Sequence, residues 1–144
     1  MTRSLESHAG SKRSCARWPS ERLVGDDFAH YTEGMVAPLI DVTPSELEQR
    51  IAQQGSRLLV VYLWGPDCPN CVIFKRSLPK LLERLSDVDA DLVALDVYAH
   101  PEVANRYGVM GIPHFILFKD GRKLGKMSEF RGEGYWASVV REHA

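Results

Sequence analysis

Along this chain, apolar and polar positions fall into regular patterns only after residue 34. Before that, Ser, Arg, Gly, Asp and His mix without apolar periodicity, which predicts a solvated tail over residues 1–34 rather than part of a core. From Met35 onward the elements can be read one by one. "MVAPLIDV" (35–42) predicts a first strand, and Pro38 confines it to a sheet edge because proline cannot donate to a ladder. In "TPSELEQRIAQQG" (43–55), Thr43 is placed as N-cap, Pro44 at the first helical position and Glu46 as the return half of a capping box. Leu47 and Ile51 supply the inner face of that helix and Gly55 stops it. "LLVVYLW" (58–64) is apolar without alternation and rich in β-branched and aromatic residues, so it predicts a strand buried on both faces.

The second half continues the alternation. "VIFKRSLPKLLERL" (72–85) predicts a helix with Leu78, Leu81, Leu82 and Leu85 on one face, kinked or restarted at Pro79. "DLVALDV" (91–97) is a further buried strand, His100-Pro101 opens a short helix closed by Gly108, and "HFILF" (114–118) is a fourth strand. Asp120-Gly121 is a two-residue hairpin signal leading to a fifth strand at about 123–130, and "YWASVVREH" (135–143) closes the chain with a helix. Tyr135 and Trp136 are read as helix-surface and core packing. The order is β-α-β-α-β-α-β-β-α. Strands joined through helices are expected to run parallel and the last hairpin antiparallel, giving an α/β fold with a mixed five-stranded central sheet flanked by helices over residues 35–144.

Composition narrows the function. The chain has 144 residues, enough for one domain, and 18 Lys+Arg stand against 19 Asp+Glu for a formal net charge of −1, so nucleic acid is not an expected partner. The longest apolar run has the length of a buried strand, well short of the roughly 18–20 residues of a spanning helix, and no membrane association is expected. Arg3, Lys12, Arg13, Arg17 and Arg22 mark the N-terminus, but the apolar stretch of a secretory signal is missing, and Glu6 and Glu21 speak against an organelle presequence. A cytoplasmic address is expected. Three cysteines are too few for a disulfide framework, which makes a close pair better suited to catalysis or metal binding than to structure. Cys15, in the tail, reads as an exposed thiol, with intermolecular pairing as its other use.

The close pair is in "WGPDCPNC" (64–71). Cys68 follows a buried strand and opens a helix, where unpaired N–H groups and the positive end of the dipole lower a thiol's pKa from about 8.5 and favour the attacking thiolate. Cys71, three residues on, lies on the same helical face and can attack a mixed disulfide held on Cys68. Pro69 suits the first turn, and Asp67 is placed to cap the helix while its charge opposes thiolate formation. Two other readings use the same spacing. A zinc site would need two further ligands, with His114 as the third and Cys15 or another histidine as the fourth. A buried structural pair would need none.

"WGPDCPNC" after "LLVVYLW", followed some forty residues later by "RYGVMGIPHFILFKDGRKL", resembles the thioredoxin family, and the element order is similar to the thioredoxin fold. The resemblance spans roughly residues 35–143. It implies a thiol-disulfide oxidoreductase in which Cys68 is the nucleophile, Cys71 the resolving thiol, Pro113 a cis-proline opposite the pair, Ile112 a backbone partner for the substrate, and Trp64 the first active-site tryptophan. It also implies that Gly132 lines the substrate groove. The chain departs from the family at Asp67, where a tryptophan is usual, and at Pro69-Asn70, where thioredoxin has Gly-Pro. It departs again at Tyr62 and Ala94, where thioredoxin carries a buried aspartate and lysine, and at Pro79, three residues later than the family's helix proline. His114 has two readings: the proton acceptor for Cys71 that the missing aspartate would have been, or a partly buried strand residue.

Dithiol exchange needs no bound cofactor. The expected partners are disulfide-containing proteins and an electron donor such as a thioredoxin reductase or glutathione, with the chain acting as a monomer. The rival function is a non-catalytic binding module of the same fold, or a redox-sensing partner protein.

Overall fold

The computed structural model describes residues 39–144. The expected solvated tail, with Cys15 and Trp18, and the first residues of the predicted first strand, with Pro38, lie outside the described residues. Within them the order is β1 (Ile40–Asp41), α1 (Pro44–Gln53), β2 (Leu58–Trp64), α2 (Pro69–Arg84), β3 (Ala90–Asp96), α3 (Pro101–Tyr107), β4 (His114–Lys119), β5 (Arg122–Met127) and α4 (Glu133–His143).

Local chemistry explains the boundaries. Thr43 Oγ1 accepts from the Glu46 N–H at 3.1 Å and the Glu46 carboxylate accepts from the Thr43 N–H at 3.0 Å, which closes the capping box. Gly55, at φ 69°, and Gly108, at φ 66°, take the left-handed conformation that ends α1 and α3. Asp120 and Gly121 both have positive φ, 55° and 76°, as a type I′ hairpin turn requires. α2 runs unbroken through Pro79 rather than restarting there. Burial of Phe74, Leu81 and Leu82 on either side of the proline offsets the one lost hydrogen bond. β5 ends at Met127 instead of continuing to 130, and α4 starts two residues before Tyr135, N-capped by Gly132 at φ 101°.

The five strands lie in the order β1-β3-β2-β4-β5, with β2 in the middle and β1 at an edge. β1 and β2 both run parallel to β3, with Tyr62 opposite Ala94 and Trp64 opposite Asp96. β4 runs antiparallel to β2, Leu63 opposite His114, and β5 antiparallel to β4. Here the structure corrects the expectation that strands joined through a helix run parallel. α3 has 7 residues, about 10 Å of helix, whereas returning along β3 takes about twice that. The chain therefore enters β4 at the end of the sheet where β3 stopped, and Pro113 arrives beside the exit of β2.

Two apolar clusters cover the two faces. On one, Tyr62, Phe115 and Leu117 pack against Phe74, Leu81 and Leu82 of α2 and Trp136 and Val140 of α4. On the other, Leu59, Leu63, Ile116 and Phe118 pack against Leu47 of α1 and Val103 of α3. Asp91, near the start of β3 and 4% exposed, takes ion pairs from Arg50 and Arg57 and a hydrogen bond from Gln54. That cluster closes the end of the sheet away from the cysteines.

Candidate active site

β2 delivers the chain to the site and α2 carries it away. Trp64, partly buried, ends β2, and its carbonyl accepts from the Val97 N–H at 2.9 Å. Lys75 of α2 sits 5.9 Å over the Trp64 ring. Gly65 passes between Ile112 and Tyr98 so closely that a Cβ there would lie 3.0 Å from both side chains. Asp67 then takes φ 57°, left-handed backbone in which aspartate is among the less strained residues. It does not cap the helix. Cys68 is the N-cap, extended at φ −116° and ψ 104°, and its Sγ accepts from the Cys71 N–H at 3.1 Å. The left-handed turn at Asp67 moves the cap one residue on, so the sulfur takes the place that an Asp or Ser oxygen would fill.

Cys68 and Cys71 form a disulfide, with Cα atoms 5.2 Å apart. They are 9% and 4% exposed and belong to the cluster of Tyr62, Phe74, Phe115 and Trp136. Trp64 and Ile112 pack against the same cluster. The Ile112–Pro113 peptide is cis and Pro113 is buried. The structure thus brings Trp64, Cys68, Cys71 and Ile112 together at one end of the sheet, with Pro113 next in the chain.

His114 is placed elsewhere. Along β4, Phe115 and Leu117 face the cysteine cluster, so His114, in step with Ile116 and Phe118, faces the opposite side of the sheet. It is 3% exposed and its Nε2 has no hydrogen-bond partner. Burial holds the imidazole below its ordinary pKa, and Lys126 and Lys123 push it further down. The structure therefore does not bring His114 together with Cys71, which packs on the other face of the sheet. Among the described residues, no group of three or more His, Cys, Asp or Glu is placed to hold a metal ion. No described helix is long and apolar enough to cross a membrane.

The residue that sequence reasoning undervalued is Tyr62. Its hydroxyl donates to the carbonyl of Cys71 at 3.2 Å, from below the disulfide. Burial, with the Asp41 carboxylate adding to it, pushes its pKa up to about 12. The signal in the sequence was a hydroxyl-bearing tyrosine within an otherwise apolar strand, at the position where the resemblance implies an aspartate.

A family model described as thioredoxin matches residues 38–142. This chain belongs to the thioredoxin family. It is similar to the thioredoxin of Staphylococcus epidermidis, 36% identical over 107 residues that cover 73% of this chain and 97% of that protein. To the thioredoxin of Staphylococcus aureus it is 33% identical with the same coverage. Among solved structures, Fasciola hepatica thioredoxin superposes with a TM-score of 0.63 at 24% identity, over 74% of this chain and 98% of that one. Oxidised Plasmodium falciparum thioredoxin gives 0.63 at 17% identity, over 74% and 99%. These two show the shared thioredoxin fold. Thioredoxins are thiol-disulfide oxidoreductases, and the closed Cys68–Cys71 disulfide is the feature of this chain that fits that chemistry.

Proposed function

We propose that this chain exchanges protein disulfides through the Cys68-Pro69-Asn70-Cys71 dithiol, with Cys68 as nucleophile and Cys71 as resolving thiol. The observation that carries the proposal is the Cys68–Cys71 disulfide at the first turn of α2, with the Cys71 N–H donating to the Cys68 sulfur. When the pair is reduced, that donor and the helix dipole favour negative charge on Cys68. Attack on a substrate disulfide makes a bond from Cys68 to one substrate sulfur and releases the other as a thiolate. Cys71 then attacks Cys68, the internal disulfide closes, and the second substrate sulfur leaves reduced.

Ile112 and Pro113 are proposed to hold the substrate's extended chain, and Trp64 to shield the disulfide. Ile112 also lines an apolar groove of about 530 Å³ that runs along α3, with Tyr98 and the exposed Met110 on its rim, which leaves room for apolar side chains of a substrate held at Ile112. In a cytoplasm, the reducing poise drives the cycle towards reduction of the substrate, and a thioredoxin reductase or glutathione restores the dithiol. His114 takes no direct part.

Reduction of insulin with dithiothreitol as electron donor tests the reading. Wild type is expected to accelerate the reaction over dithiothreitol alone, Cys68→Ser to abolish that acceleration, and Cys71→Ser to halt at a mixed disulfide visible by mass spectrometry. A wild type that forms its own disulfide yet gives no acceleration would favour the binding-module reading.

A further inference from the structure

We propose that Tyr62 is a positioning residue for the second half of the exchange: by donating to the Cys71 carbonyl, its hydroxyl keeps the first turn of α2 set so that the Cys71 sulfur faces Cys68 while the disulfide is open. The inference rests on the dithiol reading above and adds a residue to its second step.

Three observations support it. The Tyr62 ring is locked, 1% exposed, with its centroid 4.6 Å from Phe74 and 5.5 Å from Phe115, so the hydroxyl is aimed by packing rather than by chance. Its partner is the backbone of the resolving cysteine itself, at 3.2 Å. The other buried polar and charged side chains among the described residues stand away from the pair. Arg50, Gln54 and Asp91 lie at the far end of the sheet, and His114 faces the opposite side. At the disulfide the phenol is a neutral donor, and it remains one throughout the pH range in which thiols exchange.

The step at stake is intramolecular. With Cys68 joined to a substrate sulfur, Cys71 gives its proton to water and its thiolate attacks Cys68. The Cys68–Cys71 bond forms, the bond to the substrate breaks, and the substrate leaves as a thiolate that is then protonated. In the closed form the covalent bond holds Cys71 in place. In the open form its position depends on the hydrogen bonds of the first turn, and the closing rate follows the fraction of time Cys71 spends within reach. Losing one hydrogen bond of this kind corresponds to about a two- to tenfold change in that fraction.

The test uses the full chain with Cys15→Ser and oxidised glutathione as the probe, following separately the bimolecular attack by Cys68 and the unimolecular closure by Cys71. For Tyr62→Phe, closure is expected to slow by about two- to tenfold. The first attack should be unchanged, and the glutathione equilibrium should shift towards the dithiol by a similar factor. A variant with a lowered melting temperature but unchanged closure and equilibrium would reduce Tyr62 to packing and overturn the proposal. A second measurement needs no variant: the pH profile of wild-type closure should show one ionisation, whereas an additional titrating group beneath the pair would contradict a neutral donor. If wild type never closes its disulfide, the dithiol reading itself fails. If wild type and Tyr62→Phe close at the same rate, only the positioning role fails.

Discussion

Replacing Phe74 with alanine is expected to be among the most damaging single changes outside the cysteines. Phe74 lies on α2 three residues beyond Cys71, has no exposed surface, and has ring centroids 4.6 Å from Tyr62, 4.8 Å from Phe115, and 5.3 Å from both Phe130 and Trp136. Truncating a fully buried phenylalanine costs about 3–5 kcal/mol. Edge-to-face and tilted aromatic pairs add about 0.5–1.5 kcal/mol each beyond area burial, which places this site at the upper end of that range. Against a total stability of about 5–15 kcal/mol, the loss would lower the melting temperature by more than about 10 °C. Urea unfolding of wild type and Phe74→Ala, each with the disulfide closed and open, measures it. A loss below about 2 kcal/mol in both states, with an unchanged m-value, would show that the aromatic cluster is not what fastens α2 to the sheet, and would remove the basis for the argument.

Three other outcomes follow from the structure. Because the folded state holds the His114 pKa below the unfolded value of about 6.5, the unfolded chain binds more protons in the window just below that pH, and stability should fall as pH drops through it. Urea midpoints between pH 5 and 8 should show a shallower fall for His114→Leu, and parallel curves would refute the assignment. Asp91→Ala removes the acceptor shared by Arg50, Arg57 and Gln54 and should cost about 3–5 kcal/mol by denaturant unfolding, with the glutathione equilibrium of the cysteines unchanged. In Gly65→Ala the new Cβ crowds Ile112 and Tyr98 at 3.0 Å. A loss of about 1–3 kcal/mol by urea unfolding is expected, and unchanged stability would show that the two side chains give way freely.

How much of this was legible in the sequence varied with how local each cause is. The capping box at Thr43 and Glu46, the Asp120-Gly121 turn and the buried runs of β2 and β3 depend on neighbours within a few residues, and all were readable. The direction of β4 was not, because it depends on how far α3 can reach across the sheet. The side taken by His114 was hidden for a related reason: in "HFILF" all four residues after the histidine are apolar, so both faces read alike and no alternation shows, and the facing is set only by pairing with Leu63 and Phe115's packing on Phe74. The cap of α2 shifted from Asp67 to Cys68 through a single left-handed residue, and the Tyr62 hydrogen bond joins residues nine apart on different elements. At the candidate site, Trp64, Cys68, Cys71 and Ile112 could be named in advance, but not what lies underneath them.

The placement of β2 at the centre of the sheet has a consequence for how the molecule breathes. Its backbone amides pair with β3 on one side and β4 on the other, so their exchange with deuterated solvent should require the whole sheet to open, whereas β1, two residues long, and the exposed β5 can fray alone. The strand that presents the cysteines is therefore the last to loosen. Partial opening at the margins, of the kind that exposes a protein to proteases or edge-to-edge association, would leave the sulfur pair on its support until global unfolding removes both together.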